Sequence, residues 1–215
     1  MTTNNAKIRL FKQYLNEHYP DARCELIYQK PYQLVIAVVL SAQTTDSAVN
    51  KVTPVLFAHF DSLEKLSQAP LDEIETDIRS IGIYRNKARN VKAIATMLLK
   101  EFKNEVPSNS QDLLRLPGVG NKTCNVIRAE LFHVPAIAVD THVARVAKRL
   151  GFANAKNTPD EIGRILKALL DPKDYIKTNH QIIMFGRTIC HARNPQCEKC
   201  AMYKVCSYQK KSKIE

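Results

Sequence analysis

Apolar residues recur along this chain at the spacing of a helix almost everywhere, and that regularity limits the fold more than any other feature. Ile8, Phe11 and Leu15 fall on one helical face, and Ala88, Val91, Ala95, Leu98 and Phe102 fall on another. Strand-like alternation is scarce. Pro20, Pro31, Pro107, Pro117, Pro135 and Pro159 stand at breaks between the periodic segments, where a missing amide donor does least harm. The expected fold is all-α, with about ten helices.

The run Leu34-Val35-Ile36-Ala37-Val38-Val39-Leu40 is the ambiguous stretch, because its β-branched residues suit a buried strand as well as a buried helix. No second run of that kind offers it a strand partner, so it reads as a central helix buried on all sides. It is far short of the roughly 18 to 20 apolar residues that span a bilayer. The first residues, Met1-Thr2-Thr3-Asn4-Asn5-Ala6-Lys7, lack the apolar core and cleavage site of a secretory signal. An intracellular, cytoplasmic protein is expected.

A chain of 215 residues can bury one substantial core or two modest ones. Its formal net charge is +11 and its pI is near 9.4, a balance that suits a polyanionic partner such as DNA, RNA or an anionic membrane. Intracellular thiols are usually reduced and available as ligands or nucleophiles. Of six cysteines, Cys24 and Cys124 stand apart and read as small buried apolar side chains. The other four crowd together near the C-terminus.

Asp112–Leu116 reads as the end of one helix and Asn121–Ile127 as the start of the next, with Pro117-Gly118-Val119-Gly120 between them. Two glycines allow positive φ and remove side chains that block close approach, so backbone N–H groups can face a phosphate. The positive end of the second helix adds to that attraction. The same residues also fit a simple tight turn. With Asn121 as N-cap, Lys122 falls in the first helical turn, where the helix dipole disfavours a positive charge. That placement favours a free amine able to attack carbon, while a phosphate contact would want the charge kept. Both roles stand open on the residues alone.

Asp140 opens a helix whose apolar residues are Val143, Val146 and Leu150. An N-cap role accounts for it, and a carboxylate there is also able to stabilise positive charge on a sugar ring as a base departs, or to accept a proton. His142 reads as an exposed helix residue or a phosphate contact rather than a metal ligand. Cys190, Cys197, Cys200 and Cys206 have the spacing C-x6-C-x2-C-x5-C, too dense for chance packing and suited to a metal centre. Zinc and a four-iron cluster both remain open, since the spacing matches neither paired zinc motifs nor ferredoxin runs. His191, Arg193, Lys199 and Lys204 outnumber Glu198 among these ligands, so the loops present positive charge toward phosphate.

Taken together, Leu116–Thr123, Val139–His142 and the four cysteines resemble bacterial endonuclease III, a family of helix-hairpin-helix DNA glycosylases. The resemblance extends to Leu40-Ser41-Ala42-Gln43-Thr44-Thr45-Asp46 and Ile81-Gly82-Ile83-Tyr84-Arg85-Asn86-Lys87-Ala88, and so covers nearly the whole chain in order. It implies two helical lobes with a DNA-binding cleft between them, one spanning 22–134 with the hairpin, the other 1–21 plus 135–215 with the cluster. It implies one [4Fe-4S] cluster rather than zinc, held by the four cysteines. It further implies Lys122 as nucleophile and Asp140 as its partner. Gln43 and Ile83 would fill or wedge the gap left by a flipped base, and Gly118, Gly120, His142 and Arg193 would contact DNA. The implied activity is removal of oxidised or damaged pyrimidines from double-stranded DNA. Cleavage 3′ to the abasic site would follow, by a monomeric, nucleoid-associated enzyme. A glycosylase that leaves the strand intact, and a non-catalytic DNA-binding iron-sulfur module, are the alternatives. Asn121 departs from the arginine often found in relatives, which removes a phosphate charge but not the reaction type. Adenine-removing relatives typically lack the lysine that this chain has at Lys122.

Overall fold

The computed structural model describes residues 3–208, and these are helical without strands. In chain order the helices are α1 Asn4–His18, α2 Pro31–Leu40, α3 Asp46–His59, α4 Leu63–Gln68, α5 Leu71–Asp77, α6 Tyr84–Phe102, α7 Ser110–Arg115, α8 Asn121–Phe132, α9 Thr141–Leu150, α10 Pro159–Leu169 and α11 Tyr175–Thr188. Short 3-10 turns occupy Pro172–Asp174, Cys197–Lys199 and Tyr203–Val205. No helix among the described residues is long and apolar enough to cross a membrane.

The chain forms two compact units. One is continuous, Glu25–Val134, and the other joins the described residues up to Cys24 with those from Pro135 onward. In the continuous unit α2 is the central element. Every residue from Tyr32 to Leu40 is buried, and α3, α6 and α8 pack around it. This is the all-round burial expected of a helix with no polar face. Pro31 at its first position costs no hydrogen bond, and the Gln33 carboxamide oxygen accepts from the Lys30 amide at 3.0 Å. Pro54 lies inside α3, a position that the reading of prolines as breaks did not include.

In α6, Ala88, Val91, Ala95 and Leu98 are buried as their spacing requires, and the helix packs on α2, α4 and α5. The second unit is built on Ile8, Phe11 and Leu15 of α1, which meet Val143, Val146, Leu150 and Phe185 in one core. The Phe11 and Phe185 rings meet edge to face at 5.1 Å. Two buried polar side chains stitch α1 into this unit. The Lys7 ammonium donates to the Leu150 carbonyl at 2.8 Å, where α9 ends and its dipole is negative. The Gln181 amide donates to the Leu15 carbonyl at 3.2 Å, near the end of α1.

Candidate active site

The hairpin between α7 and α8 is shaped by one glycine and left open by the other. Gly118 has φ of +82°, and a β-carbon there would lie 2.7 Å from the Asn90 amide nitrogen and 2.9 Å from a Val39 methyl. Gly120 has φ of −98°, accessible to any residue, and a β-carbon there would meet nothing within 4 Å. Positive φ at both glycines is therefore not what the structure has. Gly118 satisfies a backbone and packing demand, whereas the bare surface at Gly120 leaves room for something outside the chain.

Gly120, not Asn121, is the N-cap of α8, and no side chain caps it. The open amides at this end of the helix thus have no internal acceptor competing with a phosphate. Lys122 sits in the first turn, exposed, with no hydrogen bond or ion pair among the described residues. Cys124 behind it is buried, as expected, while Cys24 is only half-buried.

Gln43 and Ile83 share an unusual property. Both are exposed and both hold left-handed backbone, with φ of 56° and 58°. For a β-branched residue such as Ile83 this is a real outlier, costing of order 1–3 kcal/mol. Ile83 is also 54% exposed, so an apolar side chain projects from the N-cap of α6. Strain and apolar exposure at one residue make Ile83 a candidate functional position.

Asp140, His142, Arg193 and the cysteines belong to the other unit. Asp140 caps α9, with Oδ1 accepting from the Val143 amide at 2.8 Å, while Oδ2 has no protein partner among the described residues. Capping and chemistry can therefore use different oxygens. His142 is half-buried rather than exposed. Its ring packs where Gly186 of α11 lacks a side chain, since a β-carbon there would lie 3.0 Å from His142 Cβ. Arg145 donates to its Nδ1 at 3.0 Å, so that nitrogen must be the unprotonated acceptor. Burial pushes the imidazole below the usual histidine range, with Arg145 and Arg187 adding to it against the pull of Asp140. Arg193 is exposed, as are Lys199 and Lys204.

Cys190, Cys197, Cys200 and Cys206 all line one recess, together with Leu150, Phe185 and Ile189. Arg149 brackets it, donating to the Cys190 sulfur at 3.5 Å and to the His191 and Ala192 carbonyls at 2.5 and 3.0 Å. Its guanidinium lies over the Tyr208 ring at 4.3 Å. Burial pushes the Cys200 thiol up to about 11, and repulsion from the other cysteines adds to it. Four thiolates in this setting require bound positive charge. Among the described residues no three His, Cys, Asp or Glu side chains are arranged to hold a single metal ion.

Sequence reasoning missed the residues that brace these features. Lys87 and Asn90 of α6, and Arg145 and Arg149 of α9, reach from buried or half-buried positions to the loops around them. Lys87 had a legible signal, a charge four residues before Val91 on the apolar face.

The family model for the HhH-GPD superfamily of base excision DNA repair proteins matches residues 36–172. Endonuclease III of Bacillus subtilis (strain 168) is 42% identical over 94% of this chain and 93% of its own length. A solved structure of a trapped endonuclease III–DNA covalent intermediate, an estranged-adenine complex, superposes with a TM-score of 0.91 at 45% identity, covering 95% of this chain and 96% of that one. A thermostable thymine-DNA glycosylase superposes with a TM-score of 0.85 at 28% identity, covering 96% and 98%. The similarity covers most of the chain, and the chain belongs to the endonuclease III family of DNA glycosylases, within the HhH-GPD superfamily of base excision repair proteins.

Proposed function

We propose that this chain removes damaged pyrimidines from duplex DNA and then cleaves the strand 3′ to the abasic site. The observation that carries this reading is Lys122, an exposed primary amine in the first turn of α8, directly after a hairpin with an open glycine surface. In the reaction a damaged base is extruded from the stack, at a cost of a few kcal/mol that damage reduces. The neutral Lys122 amine attacks C1′, and the glycosidic bond breaks with its electrons leaving on the base. Ring opening gives a Schiff base, and loss of a C2′ proton expels the 3′ phosphate by β-elimination. Covalent attachment divides one hard displacement into easier steps. Asp140, through its uncommitted Oδ2, stabilises positive charge on the sugar. Gly118, Gly120, His142 and Arg193 are proposed on the DNA side. Of these, His142 contributes from a half-buried position.

The residues around the recess fit a [4Fe-4S] cluster, with Cys190, Cys197, Cys200 and Cys206 as ligands. A tetrahedral zinc site gathers four sulfurs about one point, whereas a four-iron cluster takes a thiolate at each iron, as cysteines distributed around a single recess supply. When bound, the cluster shapes the 190–206 segment and offsets the thiolate charge. Iron and sulfide analysis of purified protein is expected to give four of each per chain, and zinc without iron overturns this assignment.

The substrate reading is tested with duplexes that each carry one lesion, including oxidised thymine, oxidised cytosine and a thymine mispaired with guanine. Oxidised pyrimidines are expected to yield strands already cleaved, without added base or heat. Products that need alkali to break support a glycosylase that only removes bases. Preference for the mispaired thymine supports the specificity named for the thymine-DNA glycosylase neighbour.

A further inference from the structure

We propose that Lys87 is a positioning residue for base eversion, tying the Gln43 turn to the helix that begins at Ile83 so that both projecting side chains are held on one support. The inference rests on the base-removal reading above, and on Gln43 and Ile83 filling or wedging the gap left by a flipped base, as the family resemblance implies.

Lys87 lies in the first turn of α6 and is 5% exposed, a buried cation that the reaction does not use. Its backbone amide donates to the Ile83 carbonyl at 3.2 Å, the first bond of the helix. Its ammonium donates to Thr44 Oγ1 at 2.6 Å. The Thr44 hydroxyl in turn donates to the Ala42 carbonyl at 3.4 Å, and the Thr44 amide to the Ser41 carbonyl at 3.0 Å. These bonds span Gln43 and enclose its left-handed backbone. One residue thus holds Ile83 by its main chain and, through Thr44, the Gln43 turn by its side chain.

Two strained residues on separate loops would relax independently unless something fixed them, and a buried donor is a stiffer fixture than a solvated one. Burial alone pushes the Lys87 ammonium below the usual lysine range, so the residue is held there against its own solvation. The same helix reaches the hairpin one turn further on. The Asn90 amide fills the space that a side chain at Gly118 would need. Lys87 and Asn90 therefore relate the Gln43 turn, the start of α6 at Ile83 and the hairpin to one helix.

The test compares single-turnover base removal from a lesion duplex by wild type, Lys87→Met, Thr44→Val and Thr44→Ser, with Lys87→Met also made in a Gln43→Ala background. Lys87→Met and Thr44→Val are expected to slow removal by about tenfold or more, and Thr44→Ser, which keeps the acceptor, by less than about twofold. In the Gln43→Ala background, Lys87→Met is expected to add less than about twofold, because the side chain it positions is gone. Thermal melting of Lys87→Met is expected to match or exceed wild type, since an apolar side chain suits the site. An equal loss in both backgrounds, or full activity of Thr44→Val, overturns the proposal. If wild type releases no base from any lesion duplex, the activity reading fails separately. Amide exchange then decides the clamp: faster exchange at residues 42–45 in Lys87→Met supports it, and unchanged exchange overturns it.

Discussion

A β-carbon at Gly118 would collide with Val39 and Asn90 on a left-handed backbone, whereas one at Gly120 would stand in open space. The two positions therefore respond differently to the same change. Gly118→Ala is expected to destabilise the fold by about 1–3 kcal/mol, as a non-glycine residue held at positive φ does. Gly120→Ala is expected to cost under about 1 kcal/mol, the weakness of alanine as an N-cap, yet to weaken DNA binding by obstructing the amides at the start of α8. Melting curves and a binding titration on each variant check this. Equal loss of stability at both positions would contradict the assignment of Gly120 to an external contact. The sequence pattern Gly-Val-Gly shows two glycines but not their separate purposes, because φ depends on how the chain leaves α7. The same limit applies to His142. Its partial burial follows from Gly186, a glycine in the last turn of α11 whose missing side chain makes room for the imidazole, and nothing local to His142 announces it.

The helices themselves were legible because burial follows their apolar period. Ile8, Phe11 and Leu15 are buried in α1, and Val143, Val146 and Leu150 in α9, as their spacing requires. The cap signal was legible at Asp140, where a side chain does the capping and accepts from the Val143 amide at 2.8 Å. The start of α8 was misplaced by one residue because Gly120 offers no side chain to read. Asp140 lets capping be separated from chemistry. Asparagine caps about as well as aspartate, so Asp140→Asn is expected to leave stability within a few tenths of a kcal/mol. Asp140→Ala is expected to lose about 1 kcal/mol. Both are expected to slow base removal by more than tenfold, roughly the scale of a lost electrostatic or acid–base contribution. A wild-type rate for Asp140→Asn would reduce the residue to a helix cap.

At the scale of the molecule, each unit gathers its own set of candidate functional features. The continuous unit carries the hairpin, Lys122, Gln43 and Ile83, and the discontinuous one carries Asp140, His142 and the four cysteines. No local pattern shows that α1 belongs with the C-terminal helices, because the link is made by contacts such as Lys7 to the Leu150 carbonyl, 143 positions away in sequence. The formal charge of +11 fits a DNA partner without choosing a reaction. What distinguishes a lyase from a protein that only grips or deglycosylates DNA is a covalent bond from one amine, and that bond can be caught. Borohydride reduction during turnover on a lesion duplex is expected to join wild-type protein to DNA, with the adduct mapping to the peptide that contains Lys122 and absent from Lys122→Ala. Full trapping by Lys122→Ala, or an adduct on another residue, would contradict the central claim.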